Sequence, residues 1–277
     1  MSKLKHITLD DLREIEVRLL NNIVDFCNEK SIIYFLSNGT LLGGVKYGGF
    51  IPWDDDVDIL LPREEYQKLI SLYEDQDYLL MANEKNRSYL YPFAKLCDTS
   101  TILVENGMDN GVDLGVNIDI FPLDYVGSDY KKAVRLVMRN HLLSQLLLLR
   151  KKKIKTVLSE NRYSCLKKLK LILSYFASRF MSPQFYIDKI NKNSLMNKKN
   201  VSSEYVASAV WPVYGKKEVL PRYYFEDFSK VEFEGEKYSA PIGFDEYLNC
   251  LYGDYHQDPP KDKQVTHHHF VAYKKQL

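Results

Sequence analysis

The 277-residue sequence has few cysteines, no long apolar run and almost no net charge. Its four cysteines, Cys27, Cys97, Cys165 and Cys250, are too few for a disulfide framework and too far apart for a CxxC metal motif, which favours a reducing compartment. The N-terminal residues MSKLKHITLDDLREIE contain no apolar stretch, and no run of about 18 apolar residues follows. The sequence therefore predicts a cytoplasmic protein without a signal peptide or a transmembrane helix.

The near-zero charge is a cancellation between two parts of the chain. Lys and Arg number 38 against 37 Asp and Glu, for a formal net charge of +1. Residues 131–200 hold 18 Lys and Arg but only two acids, Glu160 and Asp188, for a net charge of +16. The rest of the chain therefore carries −15, so the neutral total does not exclude an anionic partner for this one segment.

The hydrophobic pattern predicts an α+β fold with a mixed sheet and flanking helices. Helical spacing of apolar residues follows a capping hydroxyl at Thr8 and ends near Lys30. The next elements we expect are a buried strand over Ser31–Ser37, a short helix over Thr40–Tyr47, a strand over Asp56–Pro62 and a helix that begins at Arg63. Further strands are predicted near residues 78–81, 91–96 and 116–121.

Composition divides the chain into three predicted parts. Residues 1–128 form the α+β core, with a boundary at Gly127-Ser128. Residues 129–200 form an inserted basic segment with apolar residues at helical spacing, so two or three amphipathic helices are expected there. Residues 201–277, rich in Tyr, Pro and acids, are predicted to form an α+β part, with short strands and turns, that completes the active site.

The acidic run at residues 54–58 is the most informative feature. Asp54, Asp56 and Asp58 share one parity, so an extended chain would place all three carboxylates on one face, within ~7 Å of each other. Such like charges repel strongly, and a divalent cation makes the arrangement tolerable. Oxygen-only ligands favour Mg²⁺ or Mn²⁺.

Two other stretches are expected near this run. Asn38-Gly39-Thr40, at a strand-to-helix junction, can offer backbone N–H groups and a hydroxyl to a phosphate. Asp119 is a single acid in the apolar strand Asn117–Phe121, where an unpaired carboxylate is costly to bury. We therefore expect a metal or a cationic partner at Asp119.

The motifs resemble those of the LicD family of phosphotransferases. The matching stretches are GTLLG at residues 39–43, IPWDDDVD at 51–58, DIFPLD at 119–124, YGDY at 252–255, Pro259-Pro260 and His267-His268. This resemblance implies a nucleotidyltransferase-like fold, related to the fukutin-type phosphotransferases. It also implies transfer of phosphocholine from CDP-choline to a sugar hydroxyl of a teichoic acid or capsule precursor.

The resemblance also implies roles for individual residues. Gly39 and Thr40 occupy the position of the nucleotide loop. Asp56 and Asp58 occupy the positions of the paired metal ligands, and Asp119 that of the third acid. One of His267 and His268 is expected near the site.

Further site residues follow as hypotheses. Asp56, Asp58 and Asp119 would hold Mg²⁺ (or Mn²⁺) in a two-metal site, and Asp119 could accept a proton. Lys46 and Lys95 are candidate phosphate contacts, and Asp54 would orient a ligand. Because a quaternary ammonium cannot donate an N–H hydrogen bond, aromatic faces and a carboxylate are the available means of selecting choline. The candidates for those faces are Trp53, Trp211, Tyr214 and Tyr252.

The basic segment suggests where the enzyme acts. Acceptors on lipid carriers lie at an anionic leaflet, so we expect residues 131–200 to make peripheral contact with the inner face of the plasma membrane. No nucleic-acid partner is expected, because the segment is Leu-rich with few aromatics among its bases. Two alternatives stay open: transfer of ribitol or glycerol phosphate from a CDP donor, and a nucleotidyltransferase reaction. The least favoured alternative is a nucleic-acid-binding arm at residues 131–200.

Overall fold

A computed structural model describes residues 4–105, 107–159, 165–200, 202–266 and 270–275. The helices are α1 Leu9–Glu29, α2 Asn38–Tyr47, α3 Arg63–Leu72, α4 Tyr130–Lys151, α5 Ile154–Ser159, α6 Cys165–Ala177, α7 Pro183–Ser194 and α8 Phe244–Tyr252. The strands are β1 Lys5–His6, β2 Phe35–Leu36, β3 Asp58–Pro62, β4 Tyr78–Met81, β5 Ala94–Asp98, β6 Thr101–Glu105, β7 Asn117–Gly127, β8 Tyr205–Ala207, β9 Leu220–Pro221, β10 Phe228–Phe233, β11 Glu236–Pro241 and β12 Phe270–Lys274. The α+β prediction is confirmed.

A mixed sheet organises the molecule, with the order β2-β3-β7-β5-β4. Strand β3 runs parallel to β7, whereas β2, β5 and β4 pair with their neighbours in antiparallel fashion. The second half of β7 extends past β5 and pairs with β8, which in turn pairs with β9. Strand β7 is therefore the central strand of the sheet, because β3 pairs along one edge of it, β5 pairs along the other, and β8 pairs with its second half.

Helix α1 begins and ends as its sequence predicts. The Thr8 hydroxyl accepts a hydrogen bond from the Asp11 N–H, and the Asp11 carboxylate accepts one from the Thr8 N–H, which forms a capping box. The apolar stripe of α1, including Ile15, Leu19 and Ile23, is buried against the sheet. Burial of this face holds the helix across β5 and β7.

Some predicted strands differ in length from those in the structure. Residue Ser31 has a φ of 51°, and the Ile32 N–H returns to the Cys27 carbonyl, so the chain turns before it can pair. The strand predicted over Ser31–Ser37 is therefore reduced to β2, two residues long. Strand β3 begins at Asp58, two residues later than predicted, because only from there does the backbone pair with β7.

The basic helices share a core with the sheet. Leu147 of α4 and Ile187 and Ile190 of α7 pack in one buried cluster with Leu60, Phe121 and Val206 from the strands. Helix α4 begins just after β7 ends at Gly127, where the φ of 100° requires glycine, and Asp129 caps it. Residues 129–200 are thus joined to the sheet by apolar packing as well as by sequence.

The C-terminal part contains an element that the sequence did not predict. An α+β part was expected over residues 201–277 without a helix being located, and α8 is a helix whose Tyr247, Leu248 and Leu251 are buried. Its apolar residues recur at helical spacing, a signal obscured by the surrounding tyrosines. Strands β10 and β11 form a hairpin that packs beside α2. None of the helices over the described residues is long and apolar enough to cross a membrane.

Candidate active site

Strand register places two acids and a lysine side by side. Asp58 on β3 lies directly beside Asp119 on β7, and Lys95 on β5 lies beside Asp119 on the other side. Side chains at paired positions of neighbouring strands point to the same face of a sheet. The sheet therefore brings together three residues that are up to 61 positions apart in sequence.

Asp54, Asp56, Asp58 and Asp119 line one cavity of about 960 Å³, together with further acids from the C-terminal part. Asp58 and Asp119 belong to strands, whereas Asp54 and Asp56 lie in the loop that leads into β3. We call Asp54, Asp56, Asp58 and Asp119 the acidic cluster. Asp54 and Asp56 are therefore not on the strand predicted to carry all three acids, although they line the same cavity as Asp58. Asp55, of opposite parity, is buried and accepts a hydrogen bond from the Thr266 hydroxyl at 2.7 Å.

The loop carrying Asp54 is held by an arginine that the sequence did not single out. The Arg13 guanidinium on α1 donates to the Asp54 carbonyl at 2.7 Å and to the Ile51 carbonyl at 3.0 Å. It also donates to the Pro52 carbonyl at 3.1 Å. These bonds fix the backbone and leave the Asp54 carboxylate directed to the cavity. Arginine at a non-apolar helix position carries no sequence signal for such a role.

Gly39 and Thr40 occupy the first turn of α2 and have different functions there. A Cβ on Gly39 would lie 2.5 Å from Oδ2 of Asp54, so only glycine allows this close approach. The Thr40 hydroxyl is buried and accepts a hydrogen bond from the Asp58 N–H at 2.7 Å. Thr40 therefore orients the start of β3, while Asn38 and Gly39 line the cavity.

Helix α8 fixes the other side of the same turn. The Tyr247 hydroxyl donates to Oδ1 of Asn38 at 3.1 Å and accepts from the Asn38 N–H at 3.3 Å. Asn38 has a φ of 47°, a conformation that asparagine tolerates better than most residues. A residue of the unpredicted helix thus fixes the loop that precedes the acidic cluster.

Burial and like charge act together on Asp58. Burial raises the pKa of this carboxyl well above its usual range, and the neighbouring Asp56 and Asp119 raise it further. Asp119 is instead paired with the Lys95 ammonium, which also donates to Oδ1 of Asn117 at 2.9 Å. Burial alone would lower the pKa of Lys95, but the Asp119 and Glu105 carboxylates raise it. Lys95 is therefore the counter-ion of Asp119.

The chemistry of the acidic cluster fits a hard divalent cation. Its donors are carboxylate oxygens, and their mutual repulsion is the electrostatic cost that Mg²⁺ or Mn²⁺ would relieve. Over the described ranges, however, no three Asp, Glu, His or Cys side chains are arranged as a ligand set. The ligands predicted from the sequence, Asp56, Asp58 and Asp119, line the cavity without forming such a set in the described part of the chain.

The remaining predicted residues are placed as follows. Lys46 lines the cavity, but its ammonium pairs with Asp258 and donates to the Tyr255 carbonyl at 3.0 Å. Trp53 lies at the cavity with its ring edge-on to Tyr47. Tyr252 lines the same cavity. His267 and His268, and the neighbouring His269, lie outside the described residues.

Sequence reasoning missed two buried carboxylates at the site. Glu16 of α1 is buried, and burial followed by the charges of Asp56, Asp55 and Asp54 raises its pKa well above the usual range. Glu218 lines the cavity and is buried, and this burial raises its pKa to about 8. Neither residue belongs to a motif, so only their surroundings in the fold identify them.

Asp124, the last residue of the DIFPLD stretch, has a structural partner. Arg63 forms a bidentate pair with Asp124, with Nε to Oδ1 at 2.7 Å and Nη2 to Oδ2 at 2.8 Å, and both side chains are buried. The pair ties the first residue of α3 to β7, five residues beyond Asp119. Asp124 thus stabilises the strand that carries Asp119.

Comparison with known proteins identifies the class of domain. Residues 31–141 match the family described as LicD/FKTN/FKRP, nucleotidyltransferase domain. This range contains the whole acidic cluster, β3, β5 and β7. This part of the chain is therefore similar to the nucleotidyltransferase domains of that family.

Individual relatives extend the likeness beyond that domain. The chain is 28% identical over 278 aligned residues to the lipopolysaccharide cholinephosphotransferase LicD of Haemophilus influenzae, covering 98% of this chain and 99% of that protein. It is 32% identical over 122 residues to mannosyltransferase regulator 4 of Saccharomyces cerevisiae, which is 40% of this chain but only 10% of the yeast protein. The bacterial relative thus matches the helical segment and the C-terminal part as well.

Proposed function

We propose that this protein is a phosphotransferase that moves phosphocholine from CDP-choline to a sugar hydroxyl of a cell-surface glycan precursor, such as a teichoic acid, and releases CMP. The carrying observation is the acidic cluster in one cavity, in a chain similar over nearly its full length to a lipopolysaccharide cholinephosphotransferase. Carboxylates beside a nucleotide-sized cavity are suited to phosphoryl transfer, whose catalysis is mostly positioning and charge stabilisation.

Different residues of the cavity would have different roles in this reaction. Asp56, Asp58 and Asp119 would hold Mg²⁺ (or Mn²⁺), which supplies positive charge to the phosphates. Asp119 is positioned by Lys95 to accept the proton of the acceptor hydroxyl. Gly39 exposes the backbone of the first turn of α2, and Lys46 adds a cation on the same wall. Asp54 is held by Arg13 to orient these groups.

The test is CMP release from the purified protein with Mg²⁺ and a membrane extract as acceptor. CDP-choline is compared with CDP-ribitol and CDP-glycerol as donors. We expect CMP from CDP-choline, and a loss of about 10³-fold or more in Asp56→Asn with the fold intact. The exposed Asp25→Asn is the matched control. Near-normal activity of a folded Asp56→Asn would refute the assignment.

The same assay separates the alternative reactions. Release of pyrophosphate would indicate a nucleotidyltransferase, and preference for CDP-ribitol or CDP-glycerol would indicate another phospho-alcohol. The acidic cluster treats the phosphates of all these donors alike, so donor choice depends on other residues of the cavity.

Peripheral contact with an anionic membrane at the inner face of the plasma membrane is the second part of the proposal. Helix α6 and the turn after it expose five apolar residues at helical spacing, which we call the α6 stripe: Leu166, Leu169, Leu173, Phe176 and Phe180. Each is more than half exposed, and Phe180 is 85% exposed. The exposed Lys167 and Lys170 lie on the same helix. An apolar stripe with flanking lysines is typical of helices that lie in an anionic lipid surface.

Charge complementarity favours lipid over a second copy of the chain. Two stripes packed against each other would bring their lysines together in a segment of net charge +16, whereas an anionic leaflet would neutralise them. A nucleic acid would neutralise the lysines but leave the apolar stripe exposed to water.

Vesicle sedimentation tests this contact. We expect salt-sensitive binding to vesicles containing phosphatidylglycerol and little binding to phosphatidylcholine vesicles. The double variant Leu173→Glu with Phe176→Glu should lose binding, whereas Ile242→Glu, exposed but outside the segment, should keep it. Equal binding by all three proteins, or a dimer that only the double variant disrupts, would contradict the proposal.

A further inference from the structure

The buried carboxyl group of Glu218 lines the same cavity as the acidic cluster. Glu218 lies at the end of the short 3-10 helix Gly215–Glu218 and is 6% exposed. Its Oε1 accepts a hydrogen bond from the Tyr214 N–H at 2.7 Å. Within the described ranges no Lys, Arg or His forms an ion pair with Glu218. Buried ionised carboxylates are usually paired with a cation, so ionised Glu218 would be stabilised by a cationic ligand.

Aromatic rings surround the same part of the cavity. The rings of Tyr214 and Tyr252 meet edge to face with centroids 5.3 Å apart, and the Tyr214 hydroxyl donates to the Tyr252 hydroxyl at 3.2 Å. Trp211 also lines the cavity, and its ring packs against those of Tyr91 and Phe93. The bond to Tyr252 occupies the proton of the Tyr214 hydroxyl, so the aromatic ring is the other group that Tyr214 can offer to a ligand. Ring faces attract cations that have no N–H to donate.

The carboxylate and the rings lie within electrostatic range of the acidic cluster. The pKa of Tyr214 is raised to about 12, first by burial and then by charges that include those of Asp58, Glu218 and Asp56. Burial also raises the pKa of Glu218 to about 8, which a bound cation would lower again. A ligand with a phosphate at the acidic cluster and a cation a few bonds away could contact both places.

We infer that Glu218, together with the rings of Tyr214 and Tyr252, binds the quaternary ammonium group of the donor and thereby selects it. This inference rests on the proposed transfer of phosphocholine and assigns the residues that distinguish choline from a neutral alcohol. A donor carrying ribitol or glycerol phosphate would leave the Glu218 carboxylate buried without a cation, which disfavours its binding. Glu218 is thus a specificity residue of the cavity.

Calorimetry on the full chain tests the assignment, with CDP-choline, CDP-glycerol and CMP as separate probes. We expect wild-type protein to bind CDP-choline more tightly than CDP-glycerol or CMP. Glu218→Gln should weaken CDP-choline binding by about 10- to 100-fold and leave CMP binding unchanged. Glu236→Gln, which changes an exposed carboxylate, should bind all three probes as wild type does.

Two tyrosine variants separate the ring from its hydroxyl. Tyr214→Phe keeps the ring and should retain CDP-choline binding within about twofold, whereas Tyr214→Leu should lose about tenfold. Normal CDP-choline binding by a folded Glu218→Gln would overturn the inference. An equal loss for CMP and CDP-choline would also overturn it, because the carboxylate would then act on the nucleotide.

Failure of the proposed function would give a different result. In that case the wild-type protein itself would release no CMP from CDP-choline in the transfer assay. If wild type is active with CDP-choline and Glu218→Gln has an unchanged KM, only the assignment of Glu218 fails.

Discussion

The acidic cluster and the basic helical segment, residues 129–200, carry opposite charge in very different surroundings. The cluster lies in a cavity on the sheet, where Asp58 is buried and its pKa is raised. The helical segment keeps lysines such as Lys167 and Lys170 exposed beside apolar residues. A buried charge in the cavity destabilises the folded protein until a ligand neutralises it. A charge on the helices stays in contact with water and has little effect on stability. The first arrangement suits catalysis, and the second suits a surface contact.

The strongest test of this contrast compares a buried and an exposed ion pair. Replacing Arg63 with Met leaves Asp124 buried without its partner, so we expect a loss of about 3–5 kcal/mol in the free energy of unfolding. Arg87→Met removes the exposed pair between Arg87 and Asp188 of α7 and should cost about 1 kcal/mol or less. Urea denaturation measures both. Equal losses of unfolding free energy in the two variants would show that burial does not make one ion pair more important for stability than the other.

A second test uses the pH dependence of stability. The pKa of Glu218 is raised to about 8 in the folded protein and is near 4.5 in the unfolded chain, so the folded state binds the proton more tightly. The stability associated with Glu218 is therefore fully present below about pH 4.5 and is lost as pH rises to about 8, by on the order of a few kcal/mol.

Glu218→Gln checks that prediction, because glutamine is neutral throughout. The difference in unfolding free energy between the variant and wild type should grow in favour of the variant from pH 5 to pH 8. Glu236→Gln provides the exposed control, for which no such trend is expected. A constant difference for Glu218→Gln across this range would contradict the buried setting of the carboxylate.

Replacing Asp58 should also raise the free energy of unfolding, by less than replacing Glu218 does at high pH. Unlike the Glu218 replacement, it should also abolish activity. Burial and the charges of Asp56 and Asp119 raise its pKa, so its ionised form destabilises the ligand-free protein. We expect Asp58→Asn to raise the free energy of unfolding by about 1–2 kcal/mol above pH 7 while it abolishes turnover. Thermal unfolding without added metal measures the first change. A less stable variant would indicate that another group already neutralises Asp58.

The smallest expected effect concerns the close approach of Gly39 to Asp54. Gly39→Ala places a methyl group 2.5 Å from the Asp54 carboxylate, which must move. We expect about a tenfold loss in kcat/KM, or about 1.4 kcal/mol, with little change in stability. In an Asp54→Ala background the same substitution should have no further effect. An undiminished loss in that background would show that Gly39 acts through another group.

Much of the local structure could be predicted because local signals specify it. The capping box of α1 and the limits of β4 at Tyr78–Met81 follow from short-range patterns. The spacing of Asp54, Asp56 and Asp58 indicated a shared direction, and all three line one cavity although only Asp58 lies on a strand. Where the expectation failed, as with the strand over Ser31–Ser37, a turn ended the pairing despite a favourable run of residues.

Other features depend on contacts between distant parts of the chain. Nothing near Arg13 in the sequence indicates that its guanidinium holds the loop at Asp54. Helix α8 was not predicted, yet its Tyr247 fixes Asn38, 209 positions away. Lys95 was expected to contact phosphate, and only the pairing of β5 with β7 shows that it is the counter-ion of Asp119.

The sequence is sufficient to divide the charge between a basic segment and an acidic remainder, and to predict that Asp56, Asp58 and Asp119 take part in one chemistry. Spacing and composition are local properties, so they can be read without a fold. Tertiary structure alone decided the electrostatic state of these groups. Strand register placed Asp58 and Lys95 on either side of Asp119, and burial raised the pKa of Asp58 and Glu218. A pKa depends on the solvent and charge around a group, and distant strands and helices supply both.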